Sequence, residues 1–296
     1  MVPVIIKKEL ESNIESSSAA LKLRGMLMLL AVVAGVTIAN IYYNQPLLNA
    51  LVRDFPHSAA WVGLVATATQ IGFAVGMIFI SPLGDRMDRR RLMLWQIVGM
   101  CIALTLAATA TTLHVLIGAS LLIGIFATMA QQAGPFAAEL APPGKRGHAI
   151  GTVMSGLVIG ILLARTFSGL IAEHFGWRSV FVASIVIMLA LAAVVARRLP
   201  RSQPTSTLPY GKLLKSLWVL ARELRELREA ALTGGALFAA FSLFWTVLAM
   251  LLAESPFHFG PQAAGLFGII GVAGALAAPL AGKVADKRGP RTVISF

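Results

Sequence analysis

The chain has 296 residues, of which 57% are hydrophobic and only 13% are charged, and its mean hydropathy is +0.79. Soluble domains carry about 25% charged residues, so this composition excludes an ordinary soluble fold and favours a lipid bilayer as the solvent. The net charge of +12 would suit a nucleic-acid partner. However, the basic residues flank apolar segments instead of forming one patch, which excludes that partner.

The predicted elements, in chain order, are membrane-spanning helices. Residues 1–24 form a mixed-charge tail without a signal-peptide pattern. About twenty apolar residues in a helix cross the hydrocarbon core, and eight runs reach that length. They lie near 25–49, 58–80, 92–110, 114–137, 149–172, 179–197, 231–253 and 262–282, and a ninth run begins at Thr292. Because the runs are continuous and do not alternate like barrel strands, the predicted fold class is an all-α polytopic membrane protein.

The distribution of Lys and Arg predicts the orientation of the chain. Of the 25 basic residues, all except Arg53, Arg165 and Arg178 lie in the N-terminal tail or in every second connection. Positive charge marks the cytoplasmic side of a membrane protein. We therefore expect a multi-pass protein of the bacterial inner membrane with a cytoplasmic N-terminus.

A long connection, 198–230, divides the chain. It begins with a linker rich in Pro, Ser and Thr, and it continues with leucines at heptad spacing, which predict an amphipathic helix. These are Leu213, Leu217, Leu220, Leu224 and Leu227. Such a helix is expected on the inner membrane surface or on cytoplasmic helix ends, with binding to a partner protein as the alternative. The predicted parts are a tail (1–24), a six-helix bundle (25–197), the linker (198–230) and the start of a second bundle (231–296).

The same charged loop occurs twice. "SPLGDRMDRR", residues 81–90, aligns with "GKVADKRGPR", residues 282–291, so that Asp85 corresponds to Asp286, Arg86 to Lys287 and Arg90 to Arg291. Each copy follows the second helix of a group and precedes the third. A repeat of this kind predicts two similar six-helix halves, of which the second is incomplete here.

These loops resemble the motif of the major facilitator superfamily, G-x-x-x-D-[RK]-x-G-[RK]-[RK]. The second copy matches it at Gly282, Asp286, Lys287, Gly289 and Arg291. The first copy keeps Asp85, Arg86, Arg89 and Arg90, but has Ser81 and Asp88 where glycine is usual. "NIYYNQPLL" and "GILLARTFSG" also resemble bacterial efflux-type members. The resemblance implies that the motif aspartates latch the cytoplasmic rim of the outward-open state, and the alternative is that the charges only set orientation.

Polar residues inside the spans are candidates for a substrate cavity, because charge in hydrocarbon is costly. The candidates are Asn40, Tyr43, Asn44, Gln70 and Arg165. Arg165 stands where the family's antiporter motif in this helix has proline. It is expected either to hold an anionic substrate group, to anchor a polar network or to snorkel. Gly156, Gly160 and Ala164 recur every four residues, which predicts a closely packed neighbouring helix.

The sequence predicts neither an enzyme nor a cofactor or metal site, because no catalytic or metal-ligand spacing is present. The resemblance implies a secondary transporter in the bilayer that exports small organic molecules by alternating access. Protons are a candidate coupling ion, with Glu139, Asp54 or residues absent from this chain as carriers. The alternatives are a non-functional remnant or membrane scaffold, and uptake of a sugar or organic acid. Because the second half is incomplete, we expect that residues 1–296 alone do not transport.

Overall fold

A computed structural model describes residues 2–204 and 206–253. This part of the chain is almost entirely helical and contains ten α-helices, two short 3-10 helices and no strand. The α-helices are α1 (Val2–Tyr42), α2 (Asn44–Asp54), α3 (Gly63–Phe79), α4 (Arg89–Ala108), α5 (Leu113–Ala127), α6 (Met129–Leu140), α7 (Arg146–Phe175), α8 (Trp177–Arg198), α9 (Tyr210–Glu223) and α10 (Arg225–Ala253). The 3-10 helices, Pro56–Trp61 and Ser81–Asp85, precede α3 and α4.

Seven segments of the described chain are long and apolar enough to cross a bilayer. They are Leu21–Asp54, Pro56–Asp85, Arg89–Ala108, Leu113–Leu140, Arg146–Phe175, Trp177–Arg198 and Arg225–Trp245. They confirm the all-helical fold class and the first seven predicted spans. The eighth predicted span, 262–282, and the start of the ninth at Thr292 lie outside the described residues.

Two of the spans are each built from two helices. The first span breaks at Tyr43, between α1 and α2. Pro46, the third residue of α2, has no N–H to donate to the carbonyl of Tyr42, and it is tolerated because it lies in the first turn of the new helix. The fourth span breaks at Thr128, between α5 and α6. Both breaks lie beside buried polar side chains, which are described below.

Glycines allow the helices of the first six spans to pack closely in pairs. A Cβ atom on Gly35 of α1 would lie 2.6 Å from the carbonyl oxygen of Gly156 on α7, so no side chain fits at this crossing. The predicted small-residue stripe of α7 therefore packs against α1. In the same way, a Cβ atom on Gly124 of α5 would lie 2.7 Å from the backbone nitrogen of Phe73 on α3. The first span thus pairs with the fifth and the second with the fourth, as two triplets of helices related by a two-fold axis would do.

Large apolar side chains cover the outside of the bundle. On α4 and α8 the exposed residues include Trp95, Val98, Ile102, Val182, Val186 and Leu189. A soluble protein rarely exposes so continuous an apolar surface. Lipid satisfies these side chains, while the backbone hydrogen bonds remain inside each helix.

The linker differs from the expected single amphipathic helix. Helix α9 ends at Glu223, and the backbone of Leu224 is extended, with ψ 106°. Helix α10 begins at Arg225, six residues before the predicted start of the second bundle at 231. An ion pair of 2.7 Å between Arg225 Nε and Glu229 Oε1 supports the first turn of this new helix. Leu217, Leu220, Leu224 and Leu227 are all exposed.

Candidate functional site

Arg165 lies on α7 and is the largest of the fully buried side chains, with 1% of its surface exposed. Its Nε donates to Oε1 of Gln45 on α2 at 3.1 Å. Its Nη1 donates to the carbonyl oxygen of Ile161, one turn earlier on α7, at 2.9 Å. The charge of Arg165 is therefore held inside the bundle, and it does not reach the membrane surface by snorkelling.

Three aromatic rings surround this guanidinium. Its Cζ lies 4.8 Å from the ring centre of Tyr42 on α1, 5.4 Å from that of Phe241 and 4.2 Å from that of Trp245, both on α10. All three distances are within the range of cation–π attraction. We call Arg165, Gln45, Tyr42, Phe241 and Trp245 the arginine box. The box joins the first six spans to the seventh.

One donor of the arginine box is unused. Nη2 of Arg165 is buried and has no hydrogen-bond partner among the described residues. Buried polar groups in proteins are rarely left unpaired, and a buried charge is more costly still. The described residues therefore leave part of the hydrogen-bonding capacity of Arg165 unsatisfied.

The asparagines of the first span contact different neighbours. Asn40 of α1 accepts a hydrogen bond of 2.6 Å from Ser184 of α8 at its Oδ1. Asn44 of α2 donates from Nδ2 to Thr69 Oγ1 of α3 at 2.9 Å and reaches Ser120 Oγ of α5 at 3.5 Å. These two residues are four apart in the first span, and they bond to different neighbouring helices.

The remaining candidates, Tyr43 and Gln70, have other neighbours. The ring of Tyr43 packs against that of Phe167, with centres 5.4 Å apart. Tyr43 also lines an apolar groove of about 650 Å³ between α1 and α7, whose wall includes Gly35, Gly156 and Ile159. Gln70 is half-buried on α3, and the α3 residue bonded to Asn44 is its neighbour Thr69. The five predicted residues thus belong to several contact groups, of which only the group around Arg165 contains a charge.

Sequence reasoning missed most of the arginine box. Phe241 and Trp245 are four residues apart and therefore share one face of α10, which is a detectable signal. A second buried network was also missed. In it, Gln132 Nε2 donates to Gln96 Oε1 at 2.8 Å, and Gln96 Nε2 donates to Thr128 Oγ1 at 3.0 Å. This network joins α4 to the break in the fourth span.

The first charged loop forms a bonded cluster at one rim of the bundle. Arg89 Nη2 donates to Asp85 Oδ1 at 3.1 Å, and its Nε lies 3.7 Å from Glu139 Oε2, at the end of the fourth span. Arg89 is itself 6% exposed. Arg86, in contrast, is exposed. Asp85 and Arg89 are therefore engaged within the first bundle, and Glu139, a predicted coupling carboxylate, belongs to the same cluster.

The departure from the family motif at Asp88 has a structural explanation. Asp88 is the N-cap of α4, where its Oδ1 accepts from the backbone N–H of Arg90 at 3.1 Å. The same oxygen accepts from the backbone N–H of Ser202, in the linker, at 2.9 Å. Arg90 donates to carbonyl oxygens at the end of α8, including that of Leu199 at 3.1 Å, and so caps that helix. The loop therefore holds the end of α8 and the start of the linker together.

The second copy of the loop motif lies outside the described residues. It comprises Gly282, Asp286, Lys287, Gly289 and Arg291. Within residues 2–204 and 206–253, no cluster of three His, Cys, Asp or Glu side chains is arranged to hold a metal ion.

The opposite rim carries a smaller ion-pair cluster, which we call the outer clamp. Arg178 Nη1 donates to Asp54 Oδ2 at 2.9 Å, and Trp177 Nε1 donates to the same oxygen at 2.7 Å. Arg178 Nη2 donates to the carbonyl oxygen of Ala110 at 3.0 Å. The clamp joins the connections after the first, third and fifth spans, and it engages Asp54, the other predicted coupling carboxylate.

The sequence model of the Major Facilitator Superfamily matches residues 27–296. The chain belongs to the major facilitator superfamily. This membership agrees with the close pairing of spans and with the charged loop of the first copy. It also agrees with a multi-pass protein of the bacterial inner membrane.

Two curated members of the superfamily illustrate the similarity. The chain is 42% identical over 262 residues to the uncharacterized transporter YgaY of Escherichia coli O157:H7, covering 88% of this chain and 66% of YgaY. It is 28% identical over 253 residues to the multidrug resistance protein MdtG of Escherichia fergusonii, covering 80% and 60%. The chain therefore spans slightly less than two thirds of the length of these superfamily members.

Solved structures of the superfamily share the fold. A bacterial homologue of the human lysosomal transporter Spinster, in its inward-facing and unoccupied conformation, has a TM-score of 0.67 at 19% identity, covering 91% of this chain and 64% of that one. The xylose transporter XylE from E. coli, in a partially occluded inward-open conformation, has a TM-score of 0.61 at 17% identity, covering 89% and 73%. At these identities the likeness concerns the fold alone.

Proposed function

We propose that the protein is a secondary active transporter that exports small organic molecules by alternating access. The observation that carries the proposal is the arginine box, a buried charged side chain with a spare donor between the first bundle and α10. Ionisable groups within spans usually mark a substrate or ion pathway. The similarity to MdtG, a multidrug resistance protein, favours export over uptake.

In this proposal the substrate cavity is built from the predicted polar residues. Arg165 is its charged member, Tyr43 lines its apolar wall, and Asn40 and Asn44 fix the helices on either side of the break in the first span. Gln70, being half-buried beside Thr69, is a further lining residue. The separate contacts of Asn40 and Asn44 assign them to positioning, since their hydrogen bonds are made to neighbouring helices.

We further propose that the charged loop acts as an inner gate. Asp85, Arg86, Arg89 and Arg90 form its first half, and the second copy, with Asp286 and Arg291, forms the corresponding half. Asp85 and Arg89 already share an ion pair, and such pairs at a rim break and reform as bundles move. The exposed Arg86 is the member that is most accessible to the opposite bundle.

In the proposed orientation the charged loop, the linker and the N-terminus lie in the cytoplasm. The proposed division of the chain keeps the four predicted parts, 1–24, 25–197, 198–230 and 231–296. Single cysteines at His57 and Lys145, in a chain whose Cys101 is replaced by alanine, provide the test. Both positions are exposed in the structure. A membrane-impermeant thiol reagent added to intact cells should label position 57 and leave position 145 unlabelled, and equal labelling contradicts the orientation.

Flux in proteoliposomes tests the transporter proposal. One arm contains residues 1–296 alone, and the other adds the C-terminal segment of YgaY that lies beyond the region of similarity. We expect saturable flux of a dye or drug in the arm that contains two bundles, because alternating access needs both of them. If protons are the coupling ion, a protonophore should abolish this flux. Absence of flux in both arms, across a panel of neutral, cationic and anionic compounds, contradicts the proposal.

A further inference from the structure

Among the residues that the structure describes, no carboxylate pairs with the charge of Arg165. Arg89, Arg178 and Arg225 each form an ion pair with Asp or Glu. In the described part of the chain, Arg165 has only the neutral oxygens of Gln45 and Ile161 and the faces of three rings. It is also the most deeply buried of these four arginines. The arginine for which a counter-charge would contribute most is thus the one that the described chain leaves without it.

The unpartnered Nη2 donor of Arg165 indicates the side of the guanidinium at which a counter-charge could bind. Nε and Nη1 of Arg165 already donate within the bundle, which fixes the plane of the guanidinium. Nη2 is buried and has no partner in residues 2–204 and 206–253. A guanidinium prefers planar oxyanions, and hydrogen bonds between ionised groups are about twice as strong as neutral ones. The ligand chemistry that satisfies this position is therefore an oxyanion such as a carboxylate.

The surrounding aromatic rings indicate the chemistry of the remainder of the ligand. Tyr42, Phe241 and Trp245 enclose the guanidinium, so a molecule that reaches Nη2 meets aromatic faces beside it. Aromatic and apolar bodies gain both buried area and ring contacts in such a site. A small inorganic anion satisfies the donor but leaves the aromatic faces without new contacts.

We propose, on the basis of the transporter function above, that Arg165 binds the acidic group of an amphiphilic organic anion between α7 and α10. The carboxylate accepts from Nη2, and the apolar body of the ligand lies against the rings of α10. Because the box is closed in this structure, entry of the ligand requires Phe241 and Trp245 to move away from the guanidinium. Ligand binding is thereby coupled to displacement of the seventh span relative to the first bundle.

Binding to the purified chain 1–296 tests this proposal without requiring transport. Sodium benzoate is the probe, benzamide is its neutral counterpart of the same shape, and sodium chloride holds the ionic strength constant. Thermal unfolding and intrinsic tryptophan fluorescence are followed as each compound is titrated. We expect benzoate to raise the Tm and to change the fluorescence with the same saturation curve, and we expect benzamide to do neither.

Three variants assign the effect to Arg165. Arg165→Gln should weaken benzoate binding by about 10- to 100-fold, the loss expected for a hydrogen bond between charged groups. Arg165→Lys keeps the charge without the planar fork, and it should bind more weakly than the native chain but more tightly than Arg165→Gln. Arg178→Gln is the matched control, because Arg178 also stacks on a tryptophan, Trp177, at 4.1 Å, but already has Asp54 as its partner. Its benzoate affinity should equal that of the native chain.

Several outcomes overturn the proposal. They are an equal response to benzamide, an equal response to chloride or sulfate, and an unchanged benzoate affinity in Arg165→Gln. If Arg165→Gln does not fold, the benzoate affinity of Arg165→Lys provides the test instead. An affinity equal to that of the native chain would contradict the proposed fork geometry. Flux of other compounds without benzoate binding overturns this inference and leaves the transporter function standing. Benzoate binding without any flux overturns the transporter function alone.

Discussion

The arginine box and the outer clamp contain the same pair of side chains in different surroundings. In both, a guanidinium lies over a tryptophan ring, at 4.2 Å for Arg165 and Trp245 and at 4.1 Å for Arg178 and Trp177. The side chain of Arg178 is 45% exposed and is paired with Asp54, whereas Arg165 is 1% exposed and has no carboxylate in the described chain. The comparison shows that stacking alone does not assign a role. The charges of the clamp are paired with each other, while the box has a charge and a donor without such a partner in the described chain.

The largest expected difference between the two sites is in transport. Arg165→Gln should reduce flux of a substrate identified in proteoliposomes by at least about 10-fold, since it removes a charge-assisted contact to the ligand. Arg178→Gln should reduce the same flux less than about 2-fold, a difference of under about 0.4 kcal/mol. Initial rates at equal protein density in the membrane provide the measurement. Similar losses in both variants would show that the two sites do not differ in function.

The second difference concerns stability without ligand. Replacing a buried ion pair by apolar residues of similar volume is often neutral or stabilising by about 1–4 kcal/mol, because the desolvation cost of the charges is removed. Arg165 bears that cost without a paired carboxylate in the described chain. Arg165→Met should therefore keep or raise the Tm of the ligand-free protein while it loses the response to benzoate. Arg178→Met, at the exposed clamp, should lower the Tm slightly. A large fall in the Tm of Arg165→Met, with retained benzoate binding, would identify the box as structural.

Removal of the carboxylate of the clamp should have a smaller effect. Asp54→Asn keeps the shape of the side chain but removes the charge that Arg178 and Trp177 share. Because both ionic side chains are nearly half exposed, solvent screens the pair, and the loss of unfolding free energy should be about 1 kcal/mol or less. Denaturant unfolding in one detergent measures it, with Asp54→Glu as the control that keeps the charge. A loss of several kcal/mol would mean that the pair is far less screened than its exposure indicates.

The smallest effect is the direct coupling between Asp54 and Arg178. A double-mutant cycle with Asp54→Asn and Arg178→Gln should give about 0.2–1 kcal/mol at low salt. This coupling should decline at 1 M salt, where charges are screened beyond about 3 Å. The benzoate response of the arginine box, being buried, should change much less between the two salt concentrations. Equal salt dependence at the two sites would contradict the difference in burial on which the comparison rests.

Features that depend on one segment were predictable from the sequence. The seven described spans follow from runs of about twenty apolar residues, because the thickness of the bilayer sets that length. The close approach of a neighbouring helix to α7 follows from the spacing of Gly156, Gly160 and Ala164, since small side chains allow backbones to approach. The identity of that helix, α1, is known only from the structure. The burial of Arg165 was among the alternatives considered, although its partners were not.

Features that depend on which helices meet were not predictable. Asn40 and Asn44 are four residues apart, yet Asn40 bonds to α8 whereas Asn44 bonds to α3 and α5. Phe241 and Trp245 contact Arg165 across almost 80 residues of chain, a pairing that hydropathy does not encode. The end of α9 just before Leu224 is likewise not marked by a proline or a glycine in the sequence. In each case tertiary packing selects one of several arrangements that the local sequence permits.

The bonds between the charged loop and the linker determine where the chain can bend. Asp88 binds the backbone of Ser202, Arg90 binds that of Leu199, and the carbonyl oxygen of Asp85 accepts from the N–H of Ser206 at 2.8 Å. The hydroxyl of Tyr210, at the start of α9, donates to the carbonyl oxygen of Phe79 at 2.5 Å. The linker is thus fastened to the rim of the first bundle as far as Tyr210. A pivot for the seventh span must lie between there and the start of α10. Extra residues inserted before Tyr210 would disturb these contacts, whereas the same residues inserted between α9 and α10 would lengthen the connection without breaking them.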